Sequence, residues 1–444
     1  MSDLAASSAN PPPAGEVSRL AEHLFRHEAG KLVSILTGIF GTDRLQLAED
    51  VVQESLARAL QTWPFYGVPK NPAAWLMQTA RNLAIDVIRR EKSFHEKEPE
   101  IITTIEQWST DTDAGSQPLF DSEIKDGRLR LMFACCHPQL PHEAQTALAL
   151  KTLCGFSPAE IAKAFLTSEA AIAKRLVRAR QRIQELKIPF EIPAGENLEE
   201  RLEVVLHTLY LLFNEGYKAS AGENLLREDL CFEAIRLATL LVEHPAGNQP
   251  RTHALLALMM LNGARFGARQ DSAGNLLRLK DQDRAHWNRE MIARGLFHLD
   301  QAAVGDEATK FHLEAGISAC HCAAENYEAT DWRQILALYD ALIAVDNTPV
   351  VALNRAVAVA KVRGPAAGLK AVDAIANADM LDSYYLLYAI RAEFEMELGR
   401  FSAAANNLRR AMQLTPIKSE VTLLAAKLHE CESAEGQIDR GHSQ

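Results

Sequence analysis

The stretch Gly155-Phe156-Ser157-Pro158-Ala159-Glu160-Ile161-Ala162, with the run that follows it from Thr167 to Arg182, decides the fold of this part of the chain. Ser157 is a favourable N-cap, Pro158 suits the first helical position, and Glu160 can close a capping box with Ser157. We therefore predict a short helix that ends near residue 166. A second helix is predicted to begin at Thr167 or Ser168 and to run past Arg182, which gives a helical hairpin.

The second helix of this hairpin has an apolar stripe and a basic side. Its stripe is spaced four, three and four residues apart, as a buried helix face requires, and consists of Ile172, Leu176, Ala179 and Ile183. Between Lys151 and Lys187 there are eight basic residues against three acidic ones. A basic helix presented by a capped, tightly turned partner suits the DNA major groove, where Lys and Arg meet phosphates and guanine edges. Charge alone is also compatible with an alternative, an ordinary helical hairpin whose charged face is simply solvated.

A resemblance to a known family separates these alternatives. The matching positions are Phe156-Ser157 through Glu160-Ile161-Ala162, Ser168-Glu169, Ile172 and Arg175-Leu176-Val177-Arg178-Ala179-Arg180. They resemble region four of an extracytoplasmic-function sigma factor, although Leu166 stands where that family usually has glycine in the turn. The resemblance implies that this block reads the minus-thirty-five promoter element. The implied DNA-binding residues are Ser168, Lys174, Arg175, Arg178 and Arg182.

An earlier stretch carries a second, independent resemblance. Ala48-Glu49-Asp50-Val51-Val52-Gln53-Glu54-Ser55 is similar to the region-two helix by which sigma factors dock on the polymerase clamp. At helical spacing Asp50, Gln53 and Glu54 share one face, and we expect them to bind polymerase. Leu47, Val51 and Leu56 can pack inward. Taken alone, the stretch also fits a surface acidic turn.

The next predicted helix runs from Ala73 to about Lys92 and is capped by Asn71-Pro72. Its buried stripe is expected to be Leu76, Ala80, Leu83 and Val87. The string from Trp75 through Asp86 to Arg90 is similar to the sigma segment that engages the minus-ten element. Such proteins capture a flipped base in the preceding loop, here Phe65 to Asn71. The implied DNA contacts are Asn71, Asn82, Asp86, Arg89 and Arg90, with Tyr66 near the base pocket, whereas Trp75 is expected in the core.

The composition limits the class of protein. The 444 residues are 48% hydrophobic with a net charge of −11, and helical periodicity predominates, so we predict an all-α chain of two to four domains. No apolar run is long enough for a membrane span, and the N-terminus lacks the features of a signal peptide. Seven cysteines without an export signal suggest reduced thiols in the cytoplasm. Cys135-Cys136-His137 and Cys320-His321-Cys322 lack zinc-site spacing, so we predict buried thiols, no metal and no cofactor.

Loop-forming and acidic stretches of the sequence divide the chain into six predicted parts. The stretch from Glu96 to Asp126 holds nine acidic residues against two lysines and predicts a solvated linker. The predicted parts are a disordered N-terminus (1–16), a region-two helical domain (17–95), the acidic linker (96–127), a region-four helix-turn-helix domain (128–188), a helical connecting domain (189–318) and tetratricopeptide-like repeats (319–444).

The last part carries a repeat signal. The positions from Gly399 to Pro416 match the second half of a tetratricopeptide repeat, and the positions from Asp331 to Val345 follow the same spacing. A generic stack of antiparallel helices is the alternative. The segments Arg128 to Pro138 and Leu209 to Tyr217 resemble the sigma subfamily that carries such an extension. That resemblance implies a fused regulator with a concave surface for a protein partner.

The sequence therefore predicts a sigma factor that brings RNA polymerase core, through its clamp and flap regions, to the minus-ten and minus-thirty-five elements of promoters. The basic stretch 151–187 is outweighed by acidic regions, so we expect weak binding to free promoter DNA. A helix-turn-helix activator with a repeat sensor and no sigma activity is the alternative. It would have no use for Asp50 or for the helix that carries Asn82 to Arg90. An enzyme is not predicted, because the sequence has no phosphate loop, HExxH or GxSxG motif.

Overall fold

A computed structural model describes residues 28–90, 127–164, 167–217, 228–271, 277–305, 308–415 and 417–442. Within these ranges the regular structure is helical with no strand, as the periodicity predicts. None of the described helices is both long enough and apolar enough to cross a membrane. The predictions for the N-terminal residues 1–16, for the acidic stretch Glu96 to Asp126 and for Leu166 lie outside the described residues.

The chain divides into two compact units, Met1–Leu209 and Tyr210–Gln444. The division falls inside one helix, Glu196–Tyr217. The finer boundaries stay a prediction.

The helices of the first unit form two blocks. The first block contains α1 (residues 28–40), α2 (Leu45–Tyr66) and α3 (Pro72–Arg90). The second block contains α4 (residues 127–135), α5 (His142–Cys154), α6 (Pro158–Ala164) and α7 (Glu169–Leu186). The helix Glu196–Tyr217, which is α8, follows them.

Within the first block, α2 and α3 pack through their apolar stripes. On α3 the predicted Leu76, Ala80 and Leu83 are buried, but the stripe continues through Ala84 and Ile88, and Val87 is half-buried. Trp63 of α2 is buried, and the ring of Trp75 meets it edge-on with 5.5 Å between the ring centroids. The half-buried Trp75 therefore belongs to the packing between these helices, as predicted.

The centre of the second block is α5. Ten of its thirteen residues are buried, which a helix surrounded by neighbours requires. It ends at Gly155, whose φ of 70° is the left-handed cap conformation that glycine adopts without strain. The chain then turns directly into α6, and both α6 and α7 pack on α5.

In the second unit most helices pack mainly on their neighbours in sequence, as in a helical repeat, although the helix Lys310–Ala323 also packs closely on Pro250–Gly263. Its helices after α8 are α9 (Glu228–Glu243), α10 (Pro250–Gly263), α11 (Arg289–Ala302), α12 (Lys310–Ala323), α13 (Trp332–Val345), α14 (Pro349–Arg363), α15 (Pro365–Asp373), α16 (Tyr385–Glu397), α17 (Phe401–Leu414) and α18 (Lys418–His442).

Several of the predicted repeat positions are buried in this stack, but Val345, at the end of α13, is 56% exposed. Ala404, Leu408 and Ala411 of α17 are buried, and the two small alanine side chains let α16 and α18 approach. Asp331 caps α13 by accepting a hydrogen bond from the Gln334 backbone N–H at 2.9 Å, and Ile335 is buried.

Two glycines of α1 give a matched test of this packing. A Cβ at Gly30 would overlap the backbone carbonyl oxygen of Leu153 in α5, whereas a Cβ at Gly38 would lie 3.5 Å from the ring of Phe190. We expect Gly30→Ala to lower the free energy of unfolding by about 2–3 kcal/mol because the backbones must separate. Gly38→Ala should be neutral or stabilise the helix by up to about 1 kcal/mol. Urea denaturation of both variants measures this difference, and equal unfolding free energies would contradict the close packing of α1 on α5.

Candidate polymerase-binding and nucleic-acid interfaces

The turn into α6 has the predicted capping box. The backbone N–H of Ser157 donates to the Glu160 carboxylate at 2.9 Å, and the backbone N–H of Glu160 donates to Ser157 Oγ at 3.2 Å. The two bonds satisfy N–H groups that the first turn of a helix leaves open, which typically contributes about 1 kcal/mol. They fix where the hairpin begins.

Helix α7 begins at its own cap and shows two faces. Ser168 Oγ accepts a hydrogen bond from the Ala171 backbone N–H at 3.2 Å, so this predicted DNA-binding residue also holds the helix start. The buried residues of α7 are the predicted Ile172, Leu176, Ala179 and Ile183. Lys174, Arg178 and Arg182 are exposed on the other side.

Arg175 differs from the other basic residues of α7. Its guanidinium lies 2.5 Å from the carboxylate of Glu143, and only 26% of its side chain is exposed. The pair lies in a cleft of about 660 Å³ between α7 and the first turn of α5. The cleft is lined by Gln139, Leu140, Pro141, Glu143, Ala144, Ala171, Lys174, Arg175, Arg178, Ala179 and Arg182. Four cations, one carboxylate and the N-terminus of a helix make this cleft suited to an anion.

Sequence reasoning missed Val177. This residue is 61% exposed and lies between Lys174 and Arg178 on the basic face. The signal was present in the sequence, because an apolar β-branched residue stands outside the buried stripe. An exposed apolar side chain among cations can contact the methyl group of thymine, which polar residues do not favour.

The acidic face of α2 is exposed as predicted. Asp50, Gln53 and Glu54 all face solvent. Gln46 donates a hydrogen bond to the Asp50 carboxylate at 2.6 Å, and Arg58 donates to Glu54 at 3.2 Å. These helix-spaced partners hold the carboxylates in place without covering them.

Glu49, the residue before Asp50, points the other way and is only 4% exposed. Its carboxylate accepts a hydrogen bond from the Thr152 hydroxyl of α5 at 2.6 Å and lies 2.5 Å from the Arg180 guanidinium of α7. Arg180, which the sequence counts among the basic residues of the hairpin, is therefore turned inward. Neither residue was predicted as part of a site.

The end of α2 carries two exposed aromatic side chains. Phe65 is 81% and Tyr66 is 87% exposed, although apolar rings are normally buried. The loop after them leads to Asn71, whose Oδ1 accepts the Ala74 backbone N–H at 3.1 Å and caps α3 as predicted. The exposed rings and the free amide N–H₂ of Asn71 suit a stacked, unpaired base.

The exposed side of α3 continues from this loop. Asn82, Asp86, Arg89 and Arg90 are all exposed, and Asn82 Oδ1 accepts a hydrogen bond from Gln78 at 3.1 Å. The two arginines occupy the last turn, where cations interact favourably with the helix dipole. The structure thus leaves this predicted row open to a ligand along one side of the helix.

The cysteine clusters are part of the packing. Cys135, Cys136 and Cys322 are buried, and Cys320 is half-buried. Burial raises the pKa of Cys136 to about 12 and also raises the pKa of Cys135, so both thiols are protonated at neutral pH. Among the described residues no three His, Cys, Asp or Glu side chains are grouped to hold a metal ion.

The second unit has a concavity of about 460 Å³ formed by the inner faces of α13, α14, α16 and α18. Its aromatic lining residues are Tyr327, Trp332, Tyr339, Tyr385 and Phe394. Its charged groups pair with each other, for example Lys361 with Glu397 at 3.2 Å and Lys427 with Glu393. Asn354 lines it from an exposed position. The lining is mostly apolar, with aromatic rings and internally paired charges.

Comparisons with known proteins agree with this arrangement. Family models described as "Sigma-70 region 2" and "Sigma-70, region 4" match residues 24–94 and 130–183. The ECF RNA polymerase sigma factor SigL of Mycobacterium tuberculosis is 34% identical over 146 residues, which cover 32% of this chain and 77% of SigL. The chain belongs to the extracytoplasmic-function sigma factors. The sigma factor SigM of Bacillus subtilis is 32% identical over 140 residues, covering 32% of this chain and 79% of SigM.

The matches to these sigma factors cover about a third of the chain. Residues 201–303 match a family model described as "Family of unknown function (DUF6596)". The "Uncharacterized protein R00370" of Rhizobium meliloti is 40% identical over 389 residues, which cover 86% of this chain and 90% of that protein. That protein is thus similar over both units. No solved structure matches the chain significantly.

Proposed function

We propose that this sigma factor binds RNA polymerase core and directs it to specific promoters, without catalytic chemistry of its own. The observation that carries the proposal is the pair of exposed faces in the first unit, acidic on α2 and basic on α7. Each is held in place by a buried apolar stripe on the opposite side of its own helix. Two such faces of opposite charge fit a protein partner and a nucleic acid that must be bound together.

On this proposal Asp50, Gln53 and Glu54 dock on the polymerase clamp, and the second block lies near the flap. The exposed rings at the end of α2 and Asn71 receive an unstacked base of the minus-ten element, while Asn82, Asp86, Arg89 and Arg90 follow the adjacent strand. Extruding a base costs a few kcal/mol, which stacking on aromatic rings offsets.

The basic face of α7 reads the minus-thirty-five element. Ser168, Lys174, Arg178 and Arg182 reach phosphates and base edges from exposed positions. Arg175 is already paired with Glu143, so it exchanges that partner for a phosphate. Because the cleft beside it combines cations with a helix N-terminus, a backbone phosphate fits there.

The second unit acts as a regulator, and the predicted protein partner binds in its concavity. Stacked helices commonly use their concave side to bind a partner. The concavity of the second unit is lined by aromatic residues, which are frequent in binding sites.

Transcription with purified components tests the proposal. The full chain and core polymerase, with promoter fragments from the same genome, should give promoter-dependent transcripts that neither component gives alone.

Arg175→Ala with Arg178→Ala should weaken promoter binding by at least about 30-fold but leave core binding intact. Asp50→Ala with Gln53→Ala is the matched control with the reverse effect. Absence of promoter-dependent transcripts would reject the sigma function, and binding of palindromic DNA without polymerase would favour the helix-turn-helix activator.

The exposed Val177 predicts a dependence on thymine methyl groups. Replacing thymine by deoxyuridine in the minus-thirty-five element removes only methyl groups. At one position this change should weaken binding by the native holoenzyme about three- to fourfold, the value of one buried methyl group. The Val177→Ala holoenzyme should bind the two DNAs equally. A native holoenzyme that does not distinguish them at any position would show that Val177 contacts no thymine.

Filling the concavity of the second unit with a tryptophan ring tests whether it is the regulatory surface. Asn354→Trp places a large ring in the concavity from an exposed position, and Arg363→Trp places the same ring outside it on the same helix. In cells of the source organism, Asn354→Trp should change transcription of a reporter by at least about threefold, roughly the effect of losing 0.7 kcal/mol of coupling. Arg363→Trp should leave it unchanged. Equal reporter levels for both variants and the native chain would exclude regulation through this surface.

A further inference from the structure

Three arginines of the second unit lie close together without an acidic partner. Arg265 follows α10, Arg284 lies in the loop before α11, and Arg289 begins α11. Arg284 is only 8% exposed and Arg265 is half-buried, whereas Arg289 is exposed. Among the described residues no carboxylate lies within ion-pair distance of the three, and Glu328 acts on Arg284 from beyond that distance. A buried charge is normally paired, so Arg284 in particular lacks a counter-ion.

The ring of Trp287 brings two of these guanidinium groups together. The Cζ atom of Arg284 lies 4.6 Å and that of Arg265 lies 5.5 Å from the centroid of the ring. Trp287 is 2% exposed and packs in an apolar cluster with Leu261 and Ile292, which fixes the ring. Cations are attracted to the face of an indole ring, so the ring holds both positive charges in one place.

Three buried polar atoms in this neighbourhood have no hydrogen-bond partner among the described residues. They are Nη2 of Arg284, Nε1 of Trp287 and Nδ1 of His321. The other amino group of Arg284 donates to the backbone carbonyls of His321 and Ala324, so the position of this side chain is fixed. Leaving a buried polar atom unpaired is costly. Three such atoms together indicate that a group from outside the chain belongs here.

These atoms determine which chemical group can fill the site. Guanidinium and indole N–H groups only donate hydrogen bonds, so the missing group is an acceptor. Burial and the charges of Arg265 and Arg284 lower the pKa of His321 to about 4, so this ring carries no positive charge at neutral pH. Burial raises the pKa of the neighbouring Cys322 thiol to about 11, so no thiolate offsets the arginines. A water molecule accepts hydrogen bonds but leaves the positive charge uncompensated, whereas an anion also neutralises it.

Among anions, a phosphate group matches the cluster best. A phosphate monoester carries about 1.5–2 negative charges at neutral pH and three terminal oxygens, whereas a carboxylate has a single charge and two oxygens. The guanidinium groups of Arg265 and Arg284 and the indole N–H of Trp287 can then each donate to a different oxygen. Arginine also binds phosphate through two parallel hydrogen bonds, which adds geometric specificity.

A ligand can reach the cluster from solvent. Arg265 is half-buried and Arg289 is exposed, so the cluster is open on their side. His321 also lines the concavity of about 460 Å³ in the second unit. A bound phosphate therefore lies beside the surface that the proposed function assigns to a regulatory partner.

We propose that Arg265, Arg284 and Trp287 form a binding site for the phosphate group of a small molecule, with Arg289 adding long-range attraction. These residues lie within the stretch 201–303 that matches the family of unknown function. The inference goes beyond the proposed function and does not depend on it, because neither polymerase nor promoter takes part in the binding.

Nuclear magnetic resonance of the full chain with isotope-labelled tryptophan tests the site, with inorganic phosphate as the probe. The chain has five tryptophans, and the indole N–H signal that disappears in Trp287→Phe belongs to Trp287. Phosphate added at constant ionic strength and neutral pH should move this signal downfield until it saturates, because the N–H gains an acceptor. Trp63 also has a buried, unpartnered Nε1 but lies in the first unit, so its signal should not move. A Trp287 signal that stays in place rejects the site.

Arg265→Gln and Arg294→Gln are a matched pair of variants, each of which removes one cation. Arg265 lies over the ring of Trp287, whereas Arg294 is exposed further along α11. Arg265→Gln should weaken phosphate binding at least about tenfold, the value of one hydrogen bond to a charged group, and Arg294→Gln should leave it unchanged. Arg265→Lys keeps the charge without the planar fork and should give an intermediate loss. Circular dichroism melting confirms that each variant is folded. Equal losses in Arg265→Gln and Arg294→Gln would show attraction by net charge alone and overturn the proposal.

Acetate distinguishes a phosphate site from a carboxylate site. It offers a single negative charge where phosphate offers up to about two, so it should move the Trp287 signal only at concentrations at least about tenfold higher. Acetate binding as tight as that of phosphate would contradict the assigned ligand class. If neither anion moves the signal, water fills the site and the proposal is wrong.

Discussion

Burial of Ile172, Leu176, Ala179 and Ile183 sets the rotation of α7, and the arrangement of the second block depends on it. These four side chains lie within one stripe of the helix, and their removal from water stabilises the packing by about 1.5–3 kcal/mol for each large residue. A rotation by one residue would move Arg175, Arg178 and Arg182 toward the core, where an unpaired cation is far more costly. The basic face is therefore a consequence of the apolar one. The capping bonds at Ser157 and Ser168 then fix where each helix of the hairpin begins.

The same rule separates Glu49 from Asp50 on α2. Adjacent residues on a helix point about 100° apart, as 3.6 residues per turn require. One carboxylate is consequently buried against α5 and α7, and the next is exposed on the proposed polymerase-docking face. Two acidic neighbours thus take opposite positions, one inside the chain and one on its surface.

Local pattern predicted much of the fold and of the candidate site. The caps at Ser157, Ser168 and Asn71 were predictable because each bond joins residues three positions apart. The buried stripe of α7 and the exposed face of α2 followed from helical periodicity. Glu49 could not be predicted, because its partner Arg180 is 131 residues away and no local pattern links them. The pairing of Arg175 with Glu143 was missed for the same reason. On α3 the buried stripe continues through Ala84 to Ile88, which leaves the predicted Val87 half-buried.

Permanganate reactivity of thymines measures directly whether this chain makes polymerase open a promoter. Permanganate oxidises thymines that are unstacked and spares those in a duplex. With core polymerase, the full chain and promoter DNA together, thymines around the minus-ten element should become reactive. They should stay protected when the chain or the polymerase is omitted. Reactive thymines without the chain, or none in the complete mixture, would contradict the claim.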